Sequence, residues 1–146
     1  MTEGCPEALR QAIEQFNQQQ FYRCHDTLEA LWSEAGEPQR TFYQGLLQIA
    51  VALHHRENNN HRGAVILLGE GMRRLQRYKP DYETVDVSSL MLQCQELQKS
   101  LQASFASARE SSQHLANGAE AQVASLRSPN SNFLVPAITQ LPLSEA

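Results

Sequence analysis

The chain has 146 residues, 41% hydrophobic and 19% charged, with a formal net charge of -4. That length suits one domain able to bury roughly two thirds of its unfolded surface. The acidic balance argues against a nucleic-acid or anionic-membrane partner, and no stretch approaches the roughly 20 apolar residues needed to span a bilayer. The start, MTEGCPEALR, has neither the basic opening nor the apolar run of a secretion signal, so a cytoplasmic protein is expected. Cys5, Cys24 and Cys94 lie far apart and form no CxxC pair, which is the usage of reduced thiols rather than of disulfides or a zinc knuckle.

In chain order, PEALRQAIEQFNQQ repeats apolar residues at helical spacing, with Pro6 suited to a first turn. A second helix is expected from Phe21 to Ala35, stopped by Gly36 and Pro38. A third runs from Gln39 to Glu57 and ends at Asn58, Asn59 and Asn60, residues that tolerate left-handed turns. A fourth covers His61 to Tyr78 and stops ahead of Pro80. Asp86 or Ser88 can cap a long fifth helix carrying Leu90, Leu97, Leu101, Phe105 and Ala108. No run of alternating strands with hairpin turns stands out, so the expected fold is all-α: a single-domain multihelical bundle of about five helices over residues 1–110. Residues 111–132 are rich in Ser, Ala, Asn and Gln and read as a linker or frayed helix. The apolar, proline-punctuated end 133–146 reads as an extended tail docked on the bundle, in cis or on a second copy in a homodimer.

Two polar stripes interrupt this apolar pattern. On the second helix His25 lies within about 20° of Trp32, and Glu29 about 40° further round, at the border of the core. Residues i and i+4 stand close enough for an imidazole and a carboxylate to grip one cation, or equally to grip each other as an ion pair. On the third helix Arg40, Gln44, Gln48 and His55 share one side, and residues 41–54 contain no Lys, Arg, Asp or Glu. Such a helix is expected to be surrounded by others, with its amides needing partners, so the two stripes should face each other across a small pocket. His25, Glu29 and His55 are the candidate metal ligands, with Trp32, Arg40, Gln44 and Gln48 lining the pocket. Two nitrogens and an oxygen suit a divalent metal, zinc or iron, with an open position for water and hydrolytic chemistry. Against this, Arg40 can pair with Glu29 or Glu34, His55 can simply favour the negative end of its helix, and His54 points to the apolar side. No general base separate from Glu29 is apparent, which leaves enzyme or binding protein open.

The segment FNQQQFYRCHDTLEALWSEAGEPQRTFYQGLLQIAVALHHRENNNHRGAVILLGEGMRRL, from Phe16 to Leu75, resembles the DUF309 family of small helical bacterial and archaeal proteins. The hallmark His-x3-Glu-x2-Trp/Tyr falls on His25, Glu29 and Trp32, and Arg40, QGLLQ, AVALHH and GAVILL follow in the family's order. The resemblance implies an all-helical fold and a metal or active site at the hallmark, with no settled activity; it gives the histidine place after AVAL to His55. Asn58 to Asn60 depart from the Gly-Asn turn of relatives. Two function classes therefore stand side by side. One is a pocket for a metal ion or small ligand; the other is a non-catalytic, tetratricopeptide-like helical module for a protein partner, in which His25 and Glu29 lock two helices together. No 34-residue period supports a true repeat array.

Overall fold

The structure, a computed structural model, describes residues 6–114 and 135–142, with side chains along the fifth helix as far as Phe105. Cys5, the expected linker from residue 115 onward, Phe133, Leu134 and residues 143–146 lie outside the described residues. Among the described residues five α-helices follow one another: α1 Glu7–Asn17, α2 Phe21–Glu34, α3 Gln39–Glu57, α4 His61–Leu75 and α5 Val87–His114.

Amphipathic spacing explains each helix. Leu9, Ala12, Ile13 and Phe16 of α1 are buried, as are Phe21, Cys24 and Leu28 of α2 and Ala64, Leu68, Met72 and Leu75 of α4. Helix α3 occupies the middle of the bundle, flanked by α2 and α4, and buries residues on most of its circumference. That central position accounts for its charge-free run, because an unpaired charge between two packed helices would carry a large desolvation cost. The side chain of Asn60 caps α4 through the Gly63 N–H at 3.0 Å, and Asp86 caps α5 through the Ser89 N–H at 3.0 Å.

Helices α3 and α4 approach closely where two glycines, Gly45 and Gly71, meet. A Cβ on Gly71 would stand 2.9 Å from the Gly45 carbonyl oxygen and 2.7 Å from Ile49 Cγ1; one on Gly45 would stand 2.8 Å from Leu75 Cγ. Backbone-to-backbone contact of this kind is what a missing side chain permits.

Two local features differ from the sequence expectation. The fourth helix ends at Leu75, and Gln76–Tyr78 tightens into a 3-10 turn instead of continuing as α-helix. A small antiparallel hairpin, β1 Asp81–Tyr82 and β2 Val85–Asp86, then precedes α5 where no hairpin was expected. Its two turn residues, Glu83 and Thr84, both have positive φ, 48° and 66°. Tyr78 and Tyr82 pack their rings against Phe42 of α3 at 5.2 and 4.7 Å, and the Tyr43 hydroxyl donates to Glu83 at 3.0 Å, so contacts with α3 hold the hairpin in place. Residues 135–142 lie as an extended segment beside β2, through a bridge between Val85 and Gln140, with Ile138 inserted into the core.

Candidate functional site

The site is organised by the α2–α3 pair. These helices run antiparallel: the Arg40 guanidinium lies 4.1 Å above the Trp32 ring near the connection, and the Tyr22 ring meets His54 at 5.6 Å near the far ends. Counting along both helices from these two contacts puts the level of His25 between Leu47 and Val51, where Gln48 stands. Of the α3 polar stripe, Arg40 meets α2 directly and Gln48 stands at the level of His25, whereas His55 turns away toward Asn60.

On α2, His25 is the partly sheltered member, its side chain 29% exposed, while Asp26 and Glu29 beside it are open to solvent. Its Nδ1 lies 3.3 Å from Asp26 Oδ1 and its Nε2 3.9 Å from Glu29 Oε1. One ligand atom from each of the three residues falls within 4.8 Å of the others. Ligands about 2.1 Å from a tetrahedral metal are separated by roughly 3.4 Å; Asp26 lies nearer Nδ1 and Glu29 nearer Nε2, so closing the set around one imidazole nitrogen requires the exposed carboxylates to rotate toward it. A group of one nitrogen and two oxygens favours zinc, iron(II) or manganese over a soft thiophilic ion.

Three polar atoms in this seam are shielded from solvent and lack a hydrogen-bond partner: His25 Nδ1, Trp32 Nε1 and Gln48 Oε1. The 3.3 Å approach of Asp26 to His25 Nδ1 is close enough for charge attraction but poorly directed for a hydrogen bond, as expected for side chains adjacent in sequence. Each such atom costs about 1–3 kcal/mol if left dry, so the seam has an energetic demand for water or a bound group.

The sequence-derived set is gathered only in part. His25 and Glu29 share one cluster, and Trp32 and Arg40 stack one turn further along. Gln44 and Gln48 are half-buried on α3. His55 is not in the cluster: its Nδ1 stands 3.3 Å from Asn60 Nδ2, in the turn into α4. The histidine of α3 that turns toward α2 is His54, whose ring faces Tyr22; Tyr22 in turn lies 6.0 Å from the His25 ring. Arg40 lies over Trp32 and, among the described residues, forms no ion pair with Glu29 or Glu34.

Sequence reasoning passed over Asp26 and Tyr22, and it assigned His54 to the apolar side of α3, whereas its ring meets the exposed Tyr22. Asp26 sits about 100° round the helix from His25, and only its short, exposed side chain brings it back. The other two were findable by pairing α2 with α3 outward from their four-residue connection. On the opposite side of α2, Thr27, Ala30, Leu31 and Glu34 line a separate groove of about 570 Å³ that Ala8 of α1 and Tyr43 of α3 complete.

Neither α2 nor α5, which carry Cys24 and Cys94, offers a nucleophilic thiol to this seam. Burial pushes the thiols of Cys24 and Cys94 up to about 12, which keeps both protonated. Among the described residues no helix is long and apolar enough to cross a membrane.

Comparison with known proteins finds relatives of the segment that carries this site. An uncharacterised protein of Bacillus subtilis (strain 168), YpuF, is 37% identical over 57 residues, which cover 38% of this chain and 33% of that protein. The chain thus matches about a third of the length of that relative. Residues 9–67, from α1 into α4, match the family model described as "Domain of unknown function (DUF309)". The helical segment that carries His25, Glu29 and Trp32 is therefore similar to the DUF309 family over residues 9–67, less than half of the chain.

Proposed function

We propose that the α2–α3 seam binds one divalent transition-metal ion, zinc or iron(II), through His25, Asp26 and Glu29. The carrying observation is the convergence of one imidazole and two carboxylates within 4.8 Å on a single helical turn. Gln48, level with His25 and with an unpartnered oxygen, is suited to hold a metal-bound water. Three protein ligands leave coordination positions for water, and a metal-activated water is the nucleophile of hydrolytic chemistry. Glu29, engaged as a ligand, does not serve as its base, so the reading is of a metal-binding protein first and a hydrolase only in that second step.

The test is metal analysis of the purified full chain after dialysis against zinc or iron(II), beside His25→Ala, Glu29→Ala and His55→Ala. Near-stoichiometric metal in the wild type and in His55→Ala, lost in the other two, is the expected result. Metal retained equally by all four proteins, or absent from the wild type, overturns the proposal. Trp32, the single tryptophan, supplies a fluorescence signal for the same titration.

A second reading draws on the same distances. At 3.3 and 3.9 Å from its two carboxylates, His25 already has charge partners without a metal. In that case the segment is a helical interaction module, and a Tm lowered by His25→Gln with no change in metal content distinguishes it.

A further inference from the structure

Residues 135–142 are held in the way a binding protein holds an extended peptide. Asn17 of α1 donates its Nδ2 to the Ile138 carbonyl at 2.9 Å and accepts the Ile138 N–H on Oδ1 at 2.7 Å. Gln93 of α5 does the same for the preceding residue, donating to the Ala137 carbonyl at 3.1 Å and accepting the Ala137 N–H at 2.9 Å. Next to them the β2 edge and its turn add two bonds: the Asp86 N–H donates to the Thr139 carbonyl at 2.9 Å, and the Leu141 N–H donates to the carbonyl of turn residue Thr84 at 2.7 Å. All six bonds reach the backbone of the segment, which makes them indifferent to its side chains. Selection rests on the inward positions. Pro136 and Ile138 are buried, Ala137 and Thr139 point outward, and Pro136, which has no N–H to donate, stands where none of the six bonds requires one.

The reading partners come from parts of the chain far from the segment in sequence: Asn17 is 121 residues from Ile138 and Gln93 is 44 from Ala137. Asn17 is exposed and Gln93 half-buried, so water can satisfy both amides when the segment leaves, and departure strands no buried polar group. A groove that is built by the folded bundle, recognises backbone and stays satisfied when empty has the properties of an exchangeable site.

We propose that Asn17, Gln93 and the β2 edge form a recognition site for an extended peptide with a Pro-x-aliphatic core, and that residues 135–142 occupy it as a tethered ligand. The site is separate from the α2–α3 seam, so its fate does not depend on metal binding.

The experiment uses the full chain carrying Ile138→Asp, which puts a charge where the core anchor belongs and releases the tethered segment. A labelled peptide with the sequence of residues 135–142 is titrated by fluorescence anisotropy. Saturable binding is expected, at least about tenfold weaker in the wild type, where the tethered copy competes at high effective concentration. Binding should vanish for a peptide with the same Ile-to-Asp change, and for Ile138→Asp protein that also carries Asn17→Ala and Gln93→Ala.

A second measurement avoids any folding defect of the variant. In the wild type, excess unlabelled peptide should move the Ala137 and Ile138 amide resonances from their docked positions to those of a free segment. A folded Ile138→Asp chain that binds no peptide, binding that ignores the Ile-to-Asp change in the peptide, or wild-type resonances that stay fixed under excess peptide each refute the proposal.

Discussion

Replacing Gly71 by Ala tests the close α3–α4 contact at Gly45 and Gly71. On an exposed helical site this change stabilises by about 1 kcal/mol, because Ala loses less backbone entropy than Gly. Here the new methyl would sit 2.9 Å from the Gly45 carbonyl oxygen and 2.7 Å from Ile49 Cγ1, and Ile49 is fully buried. A carbonyl on a packed helix cannot rotate away as a side-chain tip can, so α3 and α4 must separate. Overpacking of this kind costs about 1–3 kcal/mol, and the upper part of that range applies when backbone is the obstacle. The net loss is about 1–2 kcal/mol, or a Tm lower by roughly 3–6 °C for a chain of this length. Gly69→Ala, two residues earlier on α4, is the internal control. Its methyl would meet only the amide tip of Gln98, at 3.2 Å, and the propensity gain should raise Tm by up to about 3 °C. Thermal melts followed by circular dichroism read both. If the two variants shift Tm in the same upward direction, the close α3–α4 approach is wrong.

The remaining predictions concern groups whose titration is displaced by burial. Cys24 and Cys94, with thiols pushed up to about 12, should resist iodoacetamide at pH 8 in the folded protein and react once denaturant is added, as mass spectrometry of the labelled peptides would show; rapid native labelling of either would contradict their burial. Glu83 titrates above the ordinary carboxylate range, chiefly because burial disfavours its charged form, against opposing hydrogen bonds from Tyr43 and Gln39. A raised native pKa means that the stabilising contribution is complete below the unfolded value and is lost as pH rises through the native one. Glu83→Gln, which keeps an acceptor for Tyr43, should therefore raise Tm at pH 7, with the advantage shrinking toward pH 4. An advantage that is constant across that interval would remove ionisation as the cause.

What could be read directly was whatever depends on near neighbours in the chain. The five helices follow from apolar spacing and from punctuation by Pro, Gly and Asn, and α3 matches its expected limits, Gln39 and Glu57, because Pro38 and Asn58 bracket a continuous periodic run. The proximity of His25 and Glu29 was legible for the same reason, since two residues four apart on a helix are neighbours whatever the helix packs against. The hairpin was not. Its turn is Glu83-Thr84 rather than the Asn-Gly type that announces such turns, and its left-handed backbone is held by Tyr43 and by a segment more than fifty residues later.

The order of the polar stripe along α3 likewise required the partner helix. Whether His54 or His55 turns to α2 differs by about 100° of helix rotation, a choice that α3 alone leaves open because it is apolar on most sides. Packing between α2 and α4 sets that rotation, sending His54 to Tyr22 and His55 to Asn60. Local periodicity determined the elements and the first pair of site residues. Contacts between elements distant in sequence decided the hairpin, the docked segment and the orientation of α3, because their free energy comes from surfaces that exist only once the chain has folded.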